Sequence, residues 1–207
     1  MQKINNNISF KSNIHFVDKK TFDRIKQGAE IFVSPGMEMH RGKNFWTEEV
    51  KTCSAGGFIS DFDAVGFHCY HSKRNFEKAQ RRAANVLNKI KEPKNGLLIG
   101  GKSHQKCPYS MSLFENLKGE FSSKVKDISI FEKLKKYYGQ THMYYSKKED
   151  TWWLCSQYKS SAKASLKTVQ HFPALLDFFK NISIAKTDRL FVEGKEITRE
   201  KAPKIFA

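Results

Sequence analysis

A threonine, a cysteine and a histidine stand within the stretch TEEVKTCSAGGFISDFDAVGFHCYH: Thr47, Cys53 six residues on, and His68 fifteen residues further. A thiol near an imidazole is the minimal kit for nucleophilic catalysis: the base takes the thiol proton and the thiolate attacks a carbonyl carbon. Ser54, Ala55, Gly56 and Gly57 follow the cysteine directly. A small glycine-rich turn there would let backbone N–H groups approach a developing oxyanion. Taken singly, a cysteine is more often an inert apolar core residue, and a histidine a hydrogen-bonded one. Their combination with the threonine and the glycines raises the catalytic reading. In Gly66-Phe67-His68-Cys69-Tyr70 a strand sends His68 and Cys69 to opposite faces, so only one of them can meet Cys53.

Elements must hold these groups. The stretch 8–17 reads as a strand or a bent pair, 19–27 as a short helix closed by Gly28, and 30–33 as a strand. GMEMHRGKNFW reads as an irregular approach loop. Two apolar stretches follow, around 49–59 and 63–70, split by the turn-like Ser60-Asp61-Phe62-Asp63. Over 76–91, Phe76, Ala79, Ala83 and Ile90 recur at helical spacing, with Arg81 and Arg82 outside the stripe. GLLIG at 96–100 reads as a buried strand. A second helix is expected from near Pro108, with Met111, Phe114, Leu117 and Phe121 on one side. Strands are expected at 126–130, 140–146 and 151–158, and a helix at 173–180 precedes a strand at 188–192. The aromatic cluster Tyr144, Tyr145, Trp152 and Trp153 suits a hairpin core. With neither an internal repeat nor a clean linker, the reading is one α+β domain over 1–207, a mixed β-sandwich flanked by helices.

The Thr47–Cys53–His68 spacing resembles that of the cysteine deamidases on the fold shared by chemoreceptor glutamine deamidases and cytotoxic-necrotizing-factor toxins. Further on, NGLLIGGK looks like that group's strand ending in paired glycines. Residues 109–121 look like its following helix, and KKYYGQTHMYYSKKEDTWWL like its closing hairpin. The resemblance covers roughly 47–158, leaving 1–46 and 159–207 as extensions. It implies α/β/β/α layers and a Thr–Cys–His triad. Cys53 is then the nucleophile, His68 rather than Cys69 the partner, and Thr47 the residue that orients the imidazole, with Thr52 as its rival. Backbone groups at Ser54, Ala55 and Gly56 would hold the oxyanion. The implied reaction converts glutamine to glutamate on a partner protein, as a bacterial effector or toxin does, without cofactor or metal.

The chain has 207 residues, 39% hydrophobic and 13% aromatic, enough to bury a proper core. It carries no apolar run of the ~20 residues a membrane span needs. Its Asn-rich start lacks the apolar core of a signal peptide; such a start also suits export by a non-classical route. Four cysteines, Cys53, Cys69, Cys107 and Cys155, form no regular framework and point to a reducing, cytoplasmic setting. The net charge is +16, and residues 71–106 hold ten Lys/Arg against two acidic residues, so about half of it lies there. Such a stretch is either a solvated face or a dock for an acidic partner surface, with Arg81 and Arg82 as its contacts. No zinc-finger, RNA-recognition or helix-turn-helix signature accompanies it, which weighs against nucleic acid.

Other chemistries stay open on the residues. His68, His71, His104 and Cys107 could in principle bind zinc, but His68 and His71 are three apart on a strand and face apart. Gly100-Gly101 lacks the spacing of a phosphate loop. A related Cys/His hydrolase acting on purine nucleosides would need more histidines in the pocket, His40 being the upstream candidate. A basic binding module, with Cys53 and His68 as core residues, is the non-enzymatic alternative.

Overall fold

Short apolar and alternating runs pair into two sheets. The computed structural model describes residues 12–29, 31–34, 38–69, 81, 85, 88, 91–100, 109–125, 127–134, 137–159, 161 and 163–206. The first sheet runs β13 (Lys195–Ile197), β12 (Arg189–Val192), β1 (Asn13–Phe16), β9 (Thr151–Lys159), β8 (Tyr138–Ser146), β3 (Asn44–Val50), with β10 (Lys167–Thr168) also on β9. The second runs β11 (Phe179–Ser183), β7 (Asp127–Lys133), β6 (Asn95–Gly100), β4 (Ser54–Ile59), β5 (Ala64–Cys69), β2 (Glu38–Gly42). Both are mixed. β1 is parallel to β9 and β12, and β6 is parallel to β7; the other pairs are antiparallel.

Alternation decides what each face meets. Phe45, Tyr145 and Trp152 of the first sheet share one buried cluster with Leu97, Ile99 and Phe131 of the second, so the sheets meet in a sandwich-like core. Tyr144 and Cys155 face the other way, against Phe22 of helix α1 (Lys19–Ile25). Phe58, Phe67, Cys69 and Leu98, on the second sheet's other face, meet Leu113, Phe114, Leu117 and Phe121 of helix α2 (Tyr109–Lys124). Helix α3 (Phe172–Phe178) contributes Leu175 and Phe178 to the core between the sheets. Among the described residues no helix is long and apolar enough to cross a membrane.

The fold corrects several expectations. The segment read as an irregular approach loop forms β2 and the first three residues of β3, Asn44–Trp46. β7 runs on to Lys133, beyond the expected 126–130. Only an isolated bridge, Phe32 to Trp46, forms where a strand was expected at 30–33. The ends are not appendages: β1 lies between β9 and β12, inside the first sheet. Ends and core also share a buried polar network. Asp188, before β12, accepts from Asn95 Nδ2 and Ser129 Oγ, each at 2.6 Å. Of the helix expected over 76–91, Arg81, Asn85, Asn88 and Lys91 are described and exposed; the first three are helical and Lys91 lies in a bend. Arg82 lies outside the described residues.

Candidate active site

Thr47 reaches the site because β3 turns its odd residues inward: Phe45 and Thr47 are buried, while Trp46 and Glu48 are half-buried on the other face. The pairing of β3 with β8 then shifts between Thr47 and Val50, where Glu49 takes a positive φ of 54°. A non-glycine residue in that region costs about 1–2 kcal/mol. Such an irregularity re-aims the chain next to active sites. Here it buries Val50 and leads, through the bend at 51–53, from the first sheet into β4 of the second.

His68 lies on β5, fully buried, opposite Ala55 of β4. Its Nδ1 is 2.7 Å from Thr47 Oγ1, and that hydroxyl is also 2.7 Å from the carbonyl oxygen of Val33. A hydroxyl has one proton, and a carbonyl can only accept. Thr47 therefore donates to Val33 and accepts from His68, which fixes the proton on Nδ1 and leaves Nε2 as the basic nitrogen. Nε2 is buried and has no hydrogen-bond partner among the described residues. Burial, and secondly the Lys133 ammonium, push His68 down to about 4. The imidazole is neutral at physiological pH.

Cys53 is a buried thiol, 6% exposed, packed with Val50 and Ala55. Ala55 pairs directly with His68. Cys53, in the bend two residues earlier, packs on Ala55. Cys69 points instead into the cluster against α2. Thr47 thus meets His68 at the seam between the sheets, on the Nδ1 side of the ring, and Cys53 packs on Ala55, the residue that His68 faces across the strand pair. Thr52 does not take its role; its carbonyl accepts from Ser110 Oγ of α2 at 2.6 Å, which ties the bend to that helix.

The glycine turn is the main correction. Ser54, Ala55 and Gly56 open β4, an internal strand paired with β5 and β6. Their backbone groups belong to that ladder, not to a flexible oxyanion turn. The glycines serve close packing. A Cβ at Gly56 would fall 2.0 Å from the Leu97 carbonyl oxygen, and one at Gly66 would fall 2.3 Å from the Phe45 ring. Ser54 points away from the site, toward Gly100 and Phe114.

Lys133 escaped the sequence reading. It is 2% exposed, and its Nζ donates to the carbonyl oxygen of Val50 and, at 3.5 Å, to that of Lys51. The signal that could have found it is the alternation Ser129, Phe131, Lys133, which puts a lysine on an inward face. Among 37 Lys/Arg, one cation at a strand end does not stand out.

No group of three or more His, Cys, Asp or Glu suited to a metal occurs among the described residues. His71, His104 and Cys107 lie outside them. His40 of β2 sits opposite Gly66. In comparisons with known proteins, no family model matches the chain and no curated protein matches it.

Proposed function

We propose that this protein is a cysteine-dependent deamidase acting on glutamine side chains of a partner protein. The observation that carries the reading is the Val33–Thr47–His68 relay. It leaves a neutral imidazole with Nε2 basic, on a residue that faces Ala55, against which a buried thiol packs. The order of layers, α1 on the first sheet and α2 on the second, supports it too, since this is the layering that the resemblance implies.

In the proposed reaction, His68 Nε2 accepts the Cys53 proton and the thiolate attacks the carboxamide carbon. The C–N bond breaks as His68 returns the proton to the departing ammonia. Water activated by His68 then hydrolyses the thioester, releasing glutamate and restoring the thiol. No cofactor takes part. The partner gains a negative charge. Its docking uses the basic stretch around Arg81 and Arg82, and is screened by salt beyond about 8 Å at physiological ionic strength.

The test is ammonia release from glutamine-bearing proteins and peptides, casein included, with mass mapping of amide-to-acid conversion. Wild type should release ammonia and Cys53→Ala should not. Equal release by both, or none by wild type from any of these substrates, overturns the proposal.

A further inference from the structure

Strand register relates Lys133 to the thiol. Ala55, Ile99 and Phe131 form one row across β4, β6 and β7. β4 runs antiparallel to β6, and β6 runs parallel to β7. Two residues back from Ala55 and two on from Phe131 therefore move the same way along the sheet. They lead toward Cys53, in the bend just before β4, and to Lys133, the last residue of β7. The lysine's contacts agree: it holds the carbonyls of Val50 and Lys51, and Val50 packs on Cys53. A buried ammonium is held by polar partners, here these two carbonyls among them.

We propose that Lys133 is a positioning residue of this site: its buried ammonium holds the 50–51 carbonyls and supplies positive charge beside the Cys53 thiolate. The inference rests on the reading of Cys53 as a nucleophile. It also meets a need of that reading. An imidazole held near 4 is a weak acceptor for an ordinary thiol proton, whose pKa is about 8.5. The gap narrows if the thiolate is stabilised, and a cation does this while disfavouring the imidazolium. Among the described residues, the charged groups adjacent in sequence do not replace it. Glu49 and Lys51 pair with each other at 2.9 Å and are more than half exposed. Glu132 points to the opposite face and binds Asn181 at 2.7 Å and Lys180 at 3.1 Å.

The experiment is the pH dependence of Cys53 alkylation by iodoacetamide, read on the Cys53 peptide, in wild type, Lys133→Met and Lys133→Arg. The wild-type midpoint should lie below about 8.5, the ordinary thiol value. Lys133→Met should raise it by about one pH unit or more, and Lys133→Arg should keep it near wild type. A wild-type midpoint at or above the ordinary value overturns the inference, and that result needs no variant to fold. A folded Lys133→Met protein with an unchanged midpoint overturns it equally. No substrate is involved, so the two proposals fail separately. A low, Lys133-dependent midpoint without ammonia release rejects the deamidase reading alone. Ammonia release by a protein with an ordinary thiol rejects this inference alone.

Discussion

At Thr47 the direction of one O–H bond decides which nitrogen of His68 is basic. Thr47→Val keeps the shape but removes both the donor to Val33 and the acceptor for Nδ1–H. The ring should then redistribute its proton toward Nε2, which nitrogen NMR of the imidazole would register. Deamidation should fall, though by less than in His68→Ala, where loss of the base should cost about 10²–10⁴-fold. Full activity with an unchanged ring tautomer would show that Thr47 only packs. The Thr47–His68 contact was legible in the sequence through the resemblance, which paired these two positions; alternation alone left His68 and Cys69 both open. Lys133 was not, because its role depends on the register of four strands, and register is set by pairing between distant segments.

At the level of strands, the glycines make separable predictions. A methyl at Gly66 meets a side chain, the ring of Phe45, whereas one at Gly56 meets the Leu97 backbone. Gly66→Ala should destabilise by about 1–3 kcal/mol, the usual range for overpacking, and Phe45→Leu should restore part of the loss. Gly56→Ala should cost more and gain nothing from Phe45→Leu, because a neighbouring strand cannot yield as a ring does. Denaturant titration of the four variants checks this, and equal rescue of both would refute the distinction. Sequence reading took Gly56 and Gly57 for a turn because glycine is the commonest turn signal. Within a strand the same residue marks close approach of another chain segment, which only the folded partner reveals. β2 was missed for a related reason. It is an edge strand with polar residues, and edge strands carry little alternation.

For the molecule as a whole, two buried groups pull stability in opposite directions with pH. Burial raises Asp188 to about 7 from an ordinary 3.8. Between these values the folded chain keeps a proton that the unfolded chain has released, so stability falls as pH rises through the window. His68, lowered to about 4 from 6.5, acts in reverse: over that range the unfolded chain binds a proton that the folded chain refuses, so stability rises with pH. The two slopes oppose each other where the windows overlap. Asp188→Asn mimics the protonated acid and should uncover the His68 slope. Relative to wild type, its denaturation midpoint should gain steadily from about pH 4 to 7 and then hold level. A constant difference across that range would show that Asp188 is already ionised in the fold.

The seam between the sheets also sets a schedule. During synthesis Cys53 leaves the ribosome 80 residues ahead of Lys133, a lead of about 4–16 s at the usual ~5–20 residues per second. Until β7 docks, the emerging chain lacks the buried cation that the proposal sets beside this thiol. On that proposal, reactivity is acquired only once β7 has joined the second sheet. On the proposed role of Lys133, the nascent protein is thereby spared a reactive thiolate until β7 is in place.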